Sequence, residues 1–409
     1  MWLPNWNGRG QAVAPTLTPP INSESALGYS LPALALPYQV YIVKVRARIG
    51  QPGITIPPGV LYFDHQYAPT LGALAAHEFF HTVHWTYPQS CMTSIPGTIF
   101  QLPEHWFRDE NEDLRWWMEA TAQWAQHEAV GADQDYAVPV AVYLQKPWQH
   151  IYYRPVSGDP ERFSYSVLFP FYLIEHSGAG NGGRDIIRAT WQQYQTTGNC
   201  GPMLPVLDAV LGNQTPLGSV RQTFPAYTEA NYFLSYQQQA DFRQVSGGAP
   251  NADVRPNPEL RTLDNNSLAV SGPAPTFGGT QVERLAASYI DLRNGFNPAQ
   301  SVGRRLDITV DIYRNPLLPA PTTGTVKIWT INTWTPPTAT YTTIQPILQD
   351  MGLSGLNRHY RATVSIPNFD TTDHVTIVFT NTENSLLSPN FSYSASISPQ
   401  TPTVTATPP

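Results

Sequence analysis

Cysteine is nearly absent from this chain: Cys91 and Cys200 are the two in 409 residues. That excludes a thiolate metal cluster and leaves room for one disulfide or for two quiet thiols. Charge is scarce as well. Charged side chains make up 13%, the net charge is -7 and the pI is near 5.8, so the basic surface that nucleic-acid binding demands is missing. No run of 18 or more apolar residues occurs, and the start Met1-Trp2-Leu3-Pro4-Asn5-Trp6 lacks the charged-then-apolar layout of a signal peptide, so no transmembrane segment is expected. What the chain does have is length, 40 prolines and 28 glycines, and aromatics at 12%. Such a length exceeds what one core usually holds, so a multidomain protein is expected.

The organisation follows from composition and period. Residues 1–37, rich in Pro, Asn, Gly and Ser, read as an irregular arm. A first domain spans 38–245. It opens with period-two alternation over Val40 to Ala47 and a second short strand at Val60-Leu61-Tyr62-Phe63, then turns helical. Phe163 to Glu175 is too apolar to be exposed, Met203 to Leu211 reads as a short helix, and Phe224-Pro225 reads as a break. Past 245 the pattern changes. Leu306-Ile308-Val310-Ile312, Val326-Ile328, Ala362-Val364-Ile366, Val375-Ile377-Phe379 and Phe391-Tyr393-Ala395-Ile397 alternate with polar residues, which predicts an all-β sandwich over 246–398. Trp329 and Trp334 are weighed there as a sugar-binding platform against packing. Residues 399–409 form a Thr/Pro-rich linker of the kind that tethers extracellular domains, so an excerpt of a longer exported or cell-surface protein is expected.

The most informative segment is His77-Glu78-Phe79-Phe80-His81. Residues four apart share one face of a helix, so both imidazoles can reach one zinc ion, while Glu78 points toward the open side of the metal as a general base. The flanking Leu74, Ala75, Ala76 and Val83 give the helix a buried setting. A second helix begins among Asp109, Glu110, Glu112 and Asp113, where capping and solvation account for the carboxylates. It continues to Gly131, a natural C-cap. Glu119 lies in its apolar middle and needs a partner or a metal. Of the other histidines, His84 lies too far along the helix axis to close a tetrahedron with His77 and His81, and His65, His105, His127, His150 and His176 are scattered.

His77-Glu78-Phe79-Phe80-His81, followed 119 − 81 = 38 residues later by Trp117-Met118-Glu119-Ala120-Thr121-Ala122-Gln123-Trp124, resembles the gluzincin class of zinc metallopeptidases. It is similar in particular to exported bacterial metallopeptidases that carry a W-x-E-x-T-A-x-W pattern. The resemblance implies an α+β zincin-like domain with a small mixed sheet, with His77, His81 and Glu119 as zinc ligands and Glu78 as base. It departs at Gln123, where many gluzincins carry an acidic residue that orients a ligand histidine. Tyr165, at the start of an apolar helix, is the candidate to hydrogen-bond the oxyanion, against a plain packing role. The expected function is an extracellular zinc endopeptidase acting on protein or peptide substrates, with an edge strand receiving the substrate backbone. A surface ligand for the β-sandwich is left open, as is oligomeric state. The alternative is a non-catalytic cell-surface adhesion module that keeps the protease-like fold. A two-carboxylate glycosidase is poorly motivated, since no second acid stands in a setting like that of Glu78.

Overall fold

A computed structural model describes residues 39–43, 53–56, 60–64, 71–84, 86–87, 112–131, 134–152, 166–197, 202–242, 255–273, 282–297, 303–322, 324–335, 338–383 and 389–399. The expected arm over 1–37, the tail beyond 399, Cys91, Cys200 and Tyr165 lie outside the described residues. The protein is a multidomain α+β chain with two compact units. The first takes the described parts of 1–143, 151–220 and 235–251, and the second those of 144–150, 221–234 and 252–409. The chain therefore passes between units several times rather than at one junction near residue 245.

The first unit opens with strands β1 (Gln39–Val43), β2 (Gly53–Ile56) and β3 (Val60–Asp64). They form a mixed sheet in the order β1-β3-β2, with β1 parallel and β2 antiparallel to β3. Helix α1 (Leu71–His84) packs on β2 and β3 and along helix α2 (Glu112–Val130). Every residue of α1 from Ala73 to His84 is buried, the polar His77, Glu78, His81, Thr82 and His84 included. In α2 the buried set Trp116, Trp117, Ala120, Thr121, Trp124 and Ala125 recurs every three to four residues. The helix ends at Gly131, whose φ of 75° allows its N–H to reach the His127 carbonyl at 2.8 Å.

Helices α3 (Gln134–Gln145), α4 (Leu168–His176), α5 (Asp185–Thr197) and α6 (Leu204–Gln214) follow. Pro170 is the third residue of α4, in the first turn, where a helix needs no N–H. One reading of the acidic turn changes. Asp113 is not solvated: it is buried, and its carboxylate accepts from the backbone N–H of Leu204 at 2.9 Å, capping the start of α6 from 91 residues away.

The second unit contains two five-stranded sheets. Their strands are β4 (Glu259–Leu263), β5 (Ala269–Pro273), β6 (Ala286–Asn294), β7 (Arg304–Arg314), β8 (Val326–Thr335), β9 (Thr338–Ile344), β10 (Gln349–Ser354), β11 (Asn357–Ile366), β12 (His374–Asn381) and β13 (Asn390–Pro399). One sheet runs β10-β11-β7-β13-β5 and the other β4-β6-β12-β8-β9, antiparallel except for β4 with β6. Alternate residues of both sheets, such as Ile308 and Val310 of β7 and Val375 and Ile377 of β12, enter one hydrophobic core.

Helix α7 (Val220–Phe233) corrects the expected break at Phe224-Pro225. The helix runs through Pro225, whose ring lies so near Gly324 that a Cβ there would fall 2.8 Å from the Pro225 Cβ. Lys327 Nζ donates to the Pro225 carbonyl at 3.1 Å and pairs with Glu229 at 2.5 Å, so packing outweighs the lost helix bond. Tyr232 and Phe233 of α7 pack on Tyr289, Trp329 and Val378, which lie on the second face of the β12-bearing sheet. Trp329 is therefore wholly buried and offers no platform. A short helix α8 (Gln239–Phe242) returns to the first unit.

Candidate metal centre

The site forms where α1 and α2 pack side by side in the first unit. The one-turn spacing on α1 brings His77 Nε2 within 3.2 Å of His81 Nε2. From α2, Glu119 Oε2 lies 3.2 Å from His77 Nε2 and 3.7 Å from His81 Nε2. These three are the one group of histidine and carboxylate ligands among the described residues whose atoms converge closely enough to hold a metal ion. Zinc ligands about 2.0–2.1 Å from a tetrahedral ion stand about 3.3–3.4 Å from each other. The observed edges bracket that spacing, so the donor set fits a small divalent cation.

Burial raises the pKa of the Glu119 carboxyl, but the adjacent His81 and His77 imidazoles outweigh it and hold the group well below the usual carboxylate range. Glu119 thus stays anionic and ready to ligate. Glu78 is buried next to His77 on α1.

The rest of the motif on α2 frames this centre. Trp117 Nε1 donates to Thr190 Oγ1 of α5 at 3.1 Å, and Trp124 meets Phe80 of α1 edge-on at 6.1 Å. Ala120 and Ala122 are fully buried. Gln123, where an acid would orient a histidine, does not assume that role: its Oε1 is buried with no hydrogen-bond partner among the described residues, and neither has His77 Nδ1.

Two residues near the centre had no role in the sequence reading. His84 is fully buried, its Nδ1 3.1 Å from His81 Nδ1 and its Nε2 2.9 Å from Thr121 Oγ1. Burial, followed by the neighbouring His81, pushes its pKa well below the ordinary imidazole value. Its three-residue spacing from His81 was the available signal; the Thr121 partner, 37 residues on, carried none. The other described histidines join no such group: His127 packs edge-on against Phe171, His176 lies against Tyr172, His150 lies near Glu283, His359 pairs with Asp311 and His374 with Asp373, while His65 and His105 lie outside the described residues.

No protein-family model matches the sequence, and no curated protein shows significant similarity to it.

Proposed function

We propose that the protein is a zinc-dependent endopeptidase of the gluzincin type acting outside the cell, with a zincin-like first unit and a β-sandwich second unit. The observation that carries the reading is the convergence of His77 Nε2, His81 Nε2 and Glu119 Oε2 from two helices onto one point. Zinc, when bound there, supplies Lewis acidity that polarises a peptide carbonyl and makes water acidic enough to ionise near pH 7. His77, His81 and Glu119 are the residues that would hold it.

Glu78 takes the proton that water loses as it attacks the carbonyl carbon, then delivers it to the departing amine nitrogen as the C–N bond breaks. Strand β2 lies at a sheet edge and packs against α1, which suits it to receive an extended peptide as an added strand.

A second reading, a non-catalytic metal-holding adhesion module, is favoured by Gln123 standing where an orienting acid would be. Casein cleavage with and without a chelator separates the two. In the same assay Glu78→Gln is expected to keep zinc and lose about 100- to 10,000-fold in rate. Undiminished cleavage by that variant would discard the mechanism.

A further inference from the structure

His81 turns Nε2 toward the other ligands and Nδ1 away from them, onto His84. Two imidazole nitrogens 3.1 Å apart share one proton, and the far side of His84 decides which of them carries it. The Thr121 hydroxyl has a single proton, directed at the Trp117 carbonyl at 2.7 Å. Toward His84 Nε2, at 2.9 Å, Thr121 can only accept. His84 therefore carries its proton on Nε2, and its bare Nδ1 accepts from the Nδ1–H of His81. The lone pair of His81 Nε2 is left facing His77 and Glu119. With His84 so fixed, a proton on His81 Nε2 would enter the centre and leave the two bare Nδ1 atoms 3.1 Å apart.

Resting on the metal-site reading above, we infer that His84 and Thr121 are positioning residues that lock His81 into the tautomer that ligates through Nε2. A helix carbonyl, that of Trp117, anchors the chain, where a carboxylate commonly holds a ligand histidine. The geometry around His84 suits a fixed ring: Trp191 packs against it at 4.4 Å and Phe80 edge-on at 4.6 Å. The line of bonds also gives the Thr of the α2 motif a task. It sits half a turn from Glu119 on the same helix, so α2 supplies one ligand directly and orients a second through His84.

The test uses the full chain and zinc alone as probe, with affinity read by chelator competition and the His81 tautomer by imidazole ¹⁵N shifts. Wild type is expected to show His81 protonated at Nδ1. His84→Phe and the near-isosteric Thr121→Val should each weaken zinc about 10- to 100-fold, whereas Thr121→Ser, which keeps the hydroxyl, should stay within about threefold. Thr121→Val decides the matter if His84→Phe does not fold. Affinity unchanged in Thr121→Val, or His81 protonated at Nε2 in wild type, overturns the inference while leaving the site intact. The reading beneath it fails separately if wild type takes up no zinc or if His77→Ala binds it equally well.

Discussion

Each of the two units buries a cluster of ionisable side chains, and the clusters are resolved in opposite ways. In the second unit Asp291 is fully buried and accepts from the Tyr232 hydroxyl at 2.8 Å, the Thr376 hydroxyl at 2.9 Å and Arg255 Nη1 at 3.2 Å. Arg255 also donates to Tyr232 at 2.7 Å and lies over the Trp334 ring at 4.4 Å. Burial, reinforced by Asp291, pushes the Tyr232 phenol well above its ordinary pKa, so it remains a donor. Charge and protons balance within that cluster, which pins α7 to the sheet. In the first unit, three acceptor atoms face one another with at most one proton among them. Those three atoms could hold a metal ion. Burial alone does not mark a functional site; an imbalance of donors and acceptors does.

Exchanging the lesion between the clusters is the strongest way to break this contrast. Glu119→Ala is expected to abolish stoichiometric zinc uptake, a larger loss than the about 10- to 100-fold of an orienting partner. Asp291→Ala should leave zinc uptake unchanged and cost about 3–5 kcal/mol in urea unfolding, because Arg255 loses its buried counter-charge. Equal effects of the two on zinc would erase the distinction.

Acid sharpens the comparison next. Burial holds His84 of the first unit well below its ordinary pKa. In the second unit burial, with Arg284 adding, holds His150 at about 3. An unfolded histidine near 6.5 binds a proton that these folded ones refuse, so stability is full above about pH 6.5 and falls below it by up to about 1.4 kcal/mol per pH unit for each ring. The His150 share continues to about pH 3. Zinc should leave in the upper part of the same window, since its ligands must be free of protons. Urea midpoints that stay flat from pH 7 to 5 would contradict the burial of both rings. The smallest effect belongs to Gly324→Ala. With φ at 91° and Pro225 against it, this change should cost about 1–3 kcal/mol in unfolding and nothing in zinc affinity.

The convergence of His77, His81 and Glu119 was legible because it depends on local geometry: four-residue spacing on one helix fixes His77 and His81, and a carboxylate in the apolar run of α2 announces that it needs a partner. The strands around Leu306, Val326, Ala362, Val375 and Phe391 were legible for the same reason, their period of two. What the sequence could not reveal depends on partners far along the chain. Asp113 looks like an ordinary first-turn acid, and its Leu204 contact leaves no local trace. Thr376 and Val378 read as the outward face of β12, yet α7 covers that face, so the whole strand is buried. Pro225 reads as a break, and only its packing against Gly324 and Lys327, about 100 residues on, shows that α7 runs through it.

That placement of α7 has a consequence for how the protein is made. The helix leaves the ribosome long before β12, the strand it covers, and at about 5–20 residues per second the interval is roughly 7–30 s. For that time Tyr232 and Phe233 have no sheet to rest on, while the helices that precede them in the chain are free to assemble. The face that buries Tyr232 and Phe233 is complete only once β6, β8 and β12 have all been made.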